Sequence, residues 1–178
     1  SSVDDIQIQR GVGASTTGAS AFGASINLGT LSTVNSNKPY GEVSNSFGSF
    51  NTLKNTVKLG TGLIDGKWNF EGRLSRITSE GFIDRSSSNL NSYYLSGSYL
   101  GEKTSIQALV FSGREITNQA WYGAPLSYLN EDSSQNYNPT YNPYDYDNEV
   151  DNYSQTHYQL HFTNKPTTKL KLNASLHY

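Results

Sequence analysis

The chain has no cysteine, which excludes a disulfide framework and any thiolate metal site. Charge is scarce: Asp, Glu, Lys and Arg make up 16% of the 178 residues, and the net charge is −2. With a pI near 5.9 the chain lacks the basic footprint of a nucleic-acid binder, so no nucleic-acid partner is expected. Hydrophobic residues reach only 34%, and nowhere do they form the run of about 18 that a transmembrane helix needs. No signal peptide is visible. A P-loop, a dinucleotide fingerprint and a Gly-x-Ser-x-Gly elbow are all missing. Without a nucleophile, base and orienter in a recognisable set, the reading is a non-enzyme with no catalytic residue and no cofactor. "SSVDDIQIQRG" at the start reads as the middle of a domain. "LKLNASLHY" at the end stops inside an alternating strand. A fragment or a trimmed chain is expected.

What fills the chain is Ser, Thr, Asn, Gly and Tyr. Aromatics reach 12%, and that argues against disorder, which combines few aromatics with much charge. Helical periodicity is nearly absent, and period-2 alternation recurs. Val57, Leu59, Thr61 and Leu63 face one way. "WNFEGRLSRITS" puts Trp68, Phe70 and Leu74 opposite Asn69, Glu71, Arg73 and Ser75. Tyr93, Leu95 and Tyr99 share a side. Thr156, Tyr158, Leu160 and Phe162 oppose His157, Gln159 and His161. Leu170, Leu172, Ala174, Leu176 and Tyr178 line one face. The strand at 104–116 is apolar on both faces, and its orientation is left open.

Short turns at 65–67, 101–103 and 164–168 alternate with longer connections at 79–91 and 117–153. Short turns at one end and long loops at the other mark an antiparallel outer-membrane barrel. Trp68, Tyr99, Phe162 and Tyr40 lie beside the short turns, where an aromatic girdle would sit. The strands run roughly 9 to 13 residues. A tilted transmembrane strand needs about 9 to 11, whereas strands of soluble domains average about 5 to 6. The fold class expected is all-β: an antiparallel transmembrane β-barrel fragment of about seven strands. A passive porin or surface adhesin stays open, as does a soluble lectin-like β-sandwich. In the sandwich, Val57, Leu59, Trp68, Phe70, Leu170 and Leu172 would pack on a second sheet.

The opening stretch, "IQIQRG" followed by "GASTTGASAFGASINLGT", resembles the C-terminal part of the plug domain of TonB-dependent outer-membrane receptors. The resembling pattern is a strand ending in Arg10-Gly11, a small-residue segment from Gly18 to Gly23, and then Gly23-Ala24-Ser25-Ile26-Asn27. "GEVSNSFGSFNTLKNTVKLGTG" is similar to the first barrel strands of the same receptors, with "NSFGSFNT" as the turn. The resemblance is specific over residues 6–64 and rests on strand pattern and loop placement beyond. Its Asn-, Ser- and Tyr-rich flavour is similar to receptors of the Bacteroidetes group. Val12 departs from it, standing where many members have Pro.

The resemblance implies residues 1–36 as the end of a plug and 37–178 as the first part of a barrel. It implies a receptor in the outer membrane of a Gram-negative bacterium, surrounded by outer-membrane lipid. Such a receptor takes up a scarce ligand (ferric siderophore, haem, cobalamin or glycan) with energy delivered by the TonB system through a segment upstream of Ser1. A surface lipoprotein partner would point to glycans or peptides. Arg10 and Gly11 are then a plug–barrel latch, the arginine pairing with acidic residues of the barrel wall. Gly and Ala let the plug backbone run close to that wall.

The residues themselves offer three further candidates. Trp121, Tyr122 and Tyr128, in the long insert, could stack on a ligand or pack the loop against itself. His157 and His161 would lie about 13 Å apart on a strand, too far for one ion, so no metal site is expected. "YDYDNEVDN" reads first as a solvated acidic loop, with a loop calcium or a cationic ligand as the alternative; it lacks the pattern of an EF-hand.

Overall fold

The computed structural model describes residues 3–11, 23–30, 38–130 and 137–178. They form two antiparallel sheets. In the first, β1 (Val3–Arg10) pairs with β2 (Ala24–Thr30). The Ile-Gln-Ile-Gln alternation puts Ile6 and Ile8 on one face, with Ile8 opposite Ile26.

The second sheet is an open meander of seven strands in chain order. They are β3 (Tyr40–Gly48), β4 (Thr52–Gly60), β5 (Trp68–Ser79), β6 (Ser88–Leu100), β7 (Thr104–Asn118), β8 (Val150–Thr167) and β9 (Leu170–His177). The connections at one end are 61–67, 101–103 and 168–169. At the other end they are 49–51, 80–87 and 119–149. Asp65-Gly66 makes the tight turn its sequence announces: both residues have positive φ, 50° and 66°, as a type I′ turn requires. Lys67 N closes it on Ile64 O at 3.0 Å.

Several strands are longer than the alternation predicts. The two long connections are correspondingly shorter, because β5 to β8 continue into them; β8 alone has 18 residues. Consecutive ladder hydrogen bonds carry polar residues such as Asn152 and Tyr153 into the strand. The turn expected at 164–168 lies at 168–169, after a register shift between Asn164 and Thr167. The connection at 49–51 is short although it lies at the long-loop end. There Phe50 and Asn51 both take positive φ, 58° and 51°.

The register sorts the side chains onto two faces. Val57, Leu74, Tyr93, Ser112 and Thr156 pair across β4 to β8 and share one face. Leu59, Gly72, Leu95, Val110 and Tyr158 form the next row of that face. Trp68, Tyr99, Ile106 and Phe162 close it at the short-turn end. This settles β7: Ile106, Ala108 and Val110 belong to the apolar face. Many of its residues are exposed, among them Leu95 (51%), Trp68 (46%) and Leu172 (50%), and the rest are partly so. The set that a sandwich would have buried, Val57 and Trp68 included, is uncovered within the described residues.

The opposite face is polar and more enclosed. Thr56, Asn69, Glu71, Ser96 and Ser98 are buried there, beside Tyr94 and Leu109, the two buried hydrophobic residues among the described ones. Thr56 and Ser75 hydroxyls meet at 3.0 Å, and Arg73 Nη2 donates to Ser92 Oγ at 3.0 Å. Tyr40 also belongs here, because it pairs with Gly60. It sits at the expected end but on the face opposite Trp68, so it is no part of an aromatic belt with Trp68, Tyr99 and Phe162. A Cβ at Gly60 would come within 2.2 Å of the Tyr40 ring. Glycine is what lets the ring lie across the strand.

Candidate functional site

The long-loop end carries the most built surface of the molecule. β7 and β8 deliver residues 119–149, and the base of this loop is closed by Gln119 N on Glu149 O at 2.9 Å. Within it α1 (Leu126–Leu129) is a single turn. The Tyr128 amide donates to Pro125 O at 2.8 Å, and Asn138 N to Tyr128 O at 2.9 Å.

The loop is fastened to its neighbour, 80–87, chiefly through Asn142 and Arg85, neither of them among the site residues expected from the sequence. Asn142 is 4% exposed. Its Nδ2 donates to Asp84 O at 2.8 Å and to Gln119 O at 3.0 Å, while its Oδ1 accepts from Tyr144 N at 3.1 Å. Arg85 reaches the same segment from the other side. Its guanidinium donates to Asn142 O at 3.0 Å and, through Nε, to Tyr144 O at 2.7 Å. Asp84 N adds a bond to Thr140 O at 2.8 Å. A buried polar group that keeps its partners holds position firmly, since leaving one unpaired is costly. A local signal does exist in "YNPTYNPY", residues 137–144. Asn-Pro favours turn initiation, and both asparagines form Asx turns: Asn138 Oδ1 accepts from Thr140 N at 3.2 Å, as Asn142 does from Tyr144.

The three expected ligand-binding aromatics divide. Trp121 (76%) and Tyr122 (65%) are exposed, as is Tyr146. Tyr128 instead stacks on Tyr141 at 4.5 Å and braces the loop internally. Tyr122 leans on Tyr144 at 5.7 Å. The phenol of half-buried Tyr144 is raised above its ordinary pKa, first by burial and then by Tyr122 and Glu149. A third aromatic pair, Phe50 and Phe82 at 5.6 Å, joins the 49–51 and 80–87 connections. Both rings remain exposed.

On the polar face near this end lies a groove of about 400 Å³, walled by Leu90, Phe111, Tyr153 and His157 over Gly113. His157 stacks on Phe111 at 4.8 Å. His161 is within hydrogen-bond distance of Ser175 Oγ (2.9 Å) and Gln159 Oε1 (3.2 Å). Among the described residues no three His, Asp or Glu side chains converge as a metal site would require. In the acidic stretch Asp145 and Asp147 are exposed, while Glu149 Oε2 accepts from Tyr146 N at 3.2 Å.

Arg10 and Gly11 end β1. Gly11 has φ +99° and donates N–H to Gly23 O at 2.8 Å, extending the β1–β2 pairing. Arg10 is exposed, and no carboxylate among the described residues is in salt-bridge range of it. Val12 and the small-residue segment that follows lie outside the described residues. Trp121 and Tyr122 are thus displayed side by side on the loop, whereas Tyr128 is turned to Tyr141. Neither a protein-family model nor a curated protein matches this chain.

Proposed function

We propose that the chain is the end of a plug domain (1–36) followed by the first seven strands (37–178) of an outer-membrane barrel. The whole protein would be a receptor that takes up a scarce ligand with energy from the TonB system. One observation carries the membrane part: the distribution of charge. Glu42, Lys58, Glu71, Arg73 and Glu115 all fall on the polar face, and on the paired strands of the apolar face only Arg76 and Arg114 are charged. Between Trp68 and Arg76 the outward side chains of β5 are Phe70, Gly72 and Leu74. That interval is roughly 27 Å along the strand and, at a tilt of ~40°, roughly 20 Å of height, against an apolar belt about 25 Å tall. Lipid is the solvent that suits an exposed apolar face of this size.

The polar face then lines a lumen, and the fastened loop 119–149 stands over it with Trp121 and Tyr122 outward. Such rings offer flat apolar area for a siderophore, haem, cobalamin or sugar. The cargo, the TonB coupling and a lipoprotein partner rest on the resemblance of residues 6–64. The chain supplies a binder and conduit, not a catalyst.

The experiment is fractionation of the intact protein followed by uptake. Recovery in the outer membrane, extraction only by detergent, and uptake of one labelled ligand class that stops when the proton gradient is collapsed support the proposal. A protein soluble without detergent would refute it. Uptake indifferent to the gradient would replace it with a passive porin.

A further inference from the structure

The two outward-facing charges are placed together. Asn91 on β6 pairs with Arg76 on β5 and with Arg114 on β7, so the three side chains stand in one row on the apolar face. All three are exposed. The arginines are two strand spacings apart, roughly 9–10 Å at their bases, close enough for both guanidiniums to reach one headgroup. Among the described residues neither is within salt-bridge range of a carboxylate. A groove of about 550 Å³ runs along this row. One wall is cationic and polar, made by Arg76, Arg114 and Asn91. The other is apolar, made by Val57, Leu74 and Tyr93 from the adjacent row.

Resting on the membrane reading above, we infer that this groove binds a phosphorylated lipid of the leaflet on the long-loop side. The arginines hold the headgroup phosphate, and an acyl chain lies along Val57, Leu74 and Tyr93. Three arguments favour that occupant. Arginine suits phosphate because its planar fork donates two parallel hydrogen bonds. An arginine facing lipid is costly at mid-bilayer and tolerated near the headgroups, which is the level the row occupies. The cationic and apolar walls match the two halves of an anionic lipid, whereas a free anion would use only one.

The test uses the intact protein in neutral detergent and a titration of three probes followed by native mass spectrometry: a bis-phosphorylated glucosamine lipid, the same lipid with its phosphates removed, and inorganic phosphate. Binding of the phosphorylated lipid is expected to weaken about tenfold or more when its phosphates are removed. The same loss is expected for the Arg76→Gln, Arg114→Gln double variant. The Arg76→Lys, Arg114→Lys pair should retain part of the affinity, and Lys54→Gln, a cation of the polar face, should retain all of it. Equal binding by the double Gln variant, equal binding of the dephosphorylated lipid, or displacement by inorganic phosphate at equal affinity would each overturn the inference and leave the membrane reading intact. A protein that never needed detergent would overturn both.

Discussion

Along β5, Trp68, Phe70 and Leu74 are 46%, 47% and 61% exposed, whereas Asn69 and Glu71 between them are 3% and 9% exposed. Water-soluble proteins sort these residue types the other way round. The same reversal runs across β6, where Leu95 is 51% exposed and its neighbour Ser96 is 9%. Since successive side chains of a strand point to opposite faces, one backbone presents two unlike surfaces, and the apolar one is the more exposed. The polar face is held by hydroxyl–hydroxyl and guanidinium–hydroxyl contacts such as Thr56–Ser75 and Arg73–Ser92. Among the described residues the opposite face has no such network and nothing that covers it.

The largest expected effect breaks this comparison directly. If lipid bathes the apolar face as proposed, placing a cation there with Leu95→Arg should cost about 2–4 kcal/mol. It should abolish the folded, heat-modifiable form of the intact protein on electrophoresis. Gln107→Arg puts the same charge on the polar face and should stay within about 1 kcal/mol of the parent. If the two variants fold equally well, the faces do not differ in solvent.

That contrast is legible in the amino-acid order because a period of two is a local property. Trp68, Phe70 and Leu74 announce a face within seven residues, and Asp-Gly announces its own turn. The strand 104–116 is not legible alone. Leu109 and Phe111 are apolar yet point to the polar side, where Leu109 is buried at 6% and Phe111 stacks on His157. Only pairing with β6 and β8 decides such a strand. Tyr40 escapes for the same reason: its level in the sheet follows from the turn, but its face follows from the register with Gly60. The loop site is legible as composition and not as architecture. Aromatic content marks Trp121, Tyr122 and Tyr128, while the residues that hold the loop, Arg85 and Asn142, lie 57 positions apart and make contacts no local pattern encodes.

A second comparison lies within that loop, between residues that fasten it and residues it displays. Asn142→Ala removes a buried amide and strands the carbonyls of Asp84 and Gln119; the expected cost is about 1–3 kcal/mol. The loss should be local, seen as faster hydrogen exchange and proteolysis of 119–149 with the strands unchanged. Tyr128→Ala breaks the stack on Tyr141 and should loosen the same segment by about 0.5–1.5 kcal/mol beyond the lost area. Trp121→Ala and Tyr122→Ala should leave stability within about 0.5 kcal/mol and lower ligand affinity. The comparison sharpens if fastening and display separate in this way. It fails if Trp121→Ala loosens the loop as much as Asn142→Ala does.

The smallest expected effect concerns Tyr144, the residue that touches both groups. Its backbone carbonyl accepts from Arg85, while its ring meets Tyr122. Burial, then Tyr122 and Glu149, raise the phenol's pKa, so the folded loop favours the neutral form more than the unfolded chain does. A raised pKa contributes stability that is fully present below the unfolded value, about 10 for tyrosine, and is lost as pH rises through the higher folded value. The loop should therefore be indifferent to pH across the neutral range and loosen only in alkali. Trp121 fluorescence anisotropy would report it, falling above about pH 10 in the parent and less in Tyr144→Phe, which cannot ionise. A fall of equal size in both would detach Tyr144 from the fastening side of the comparison.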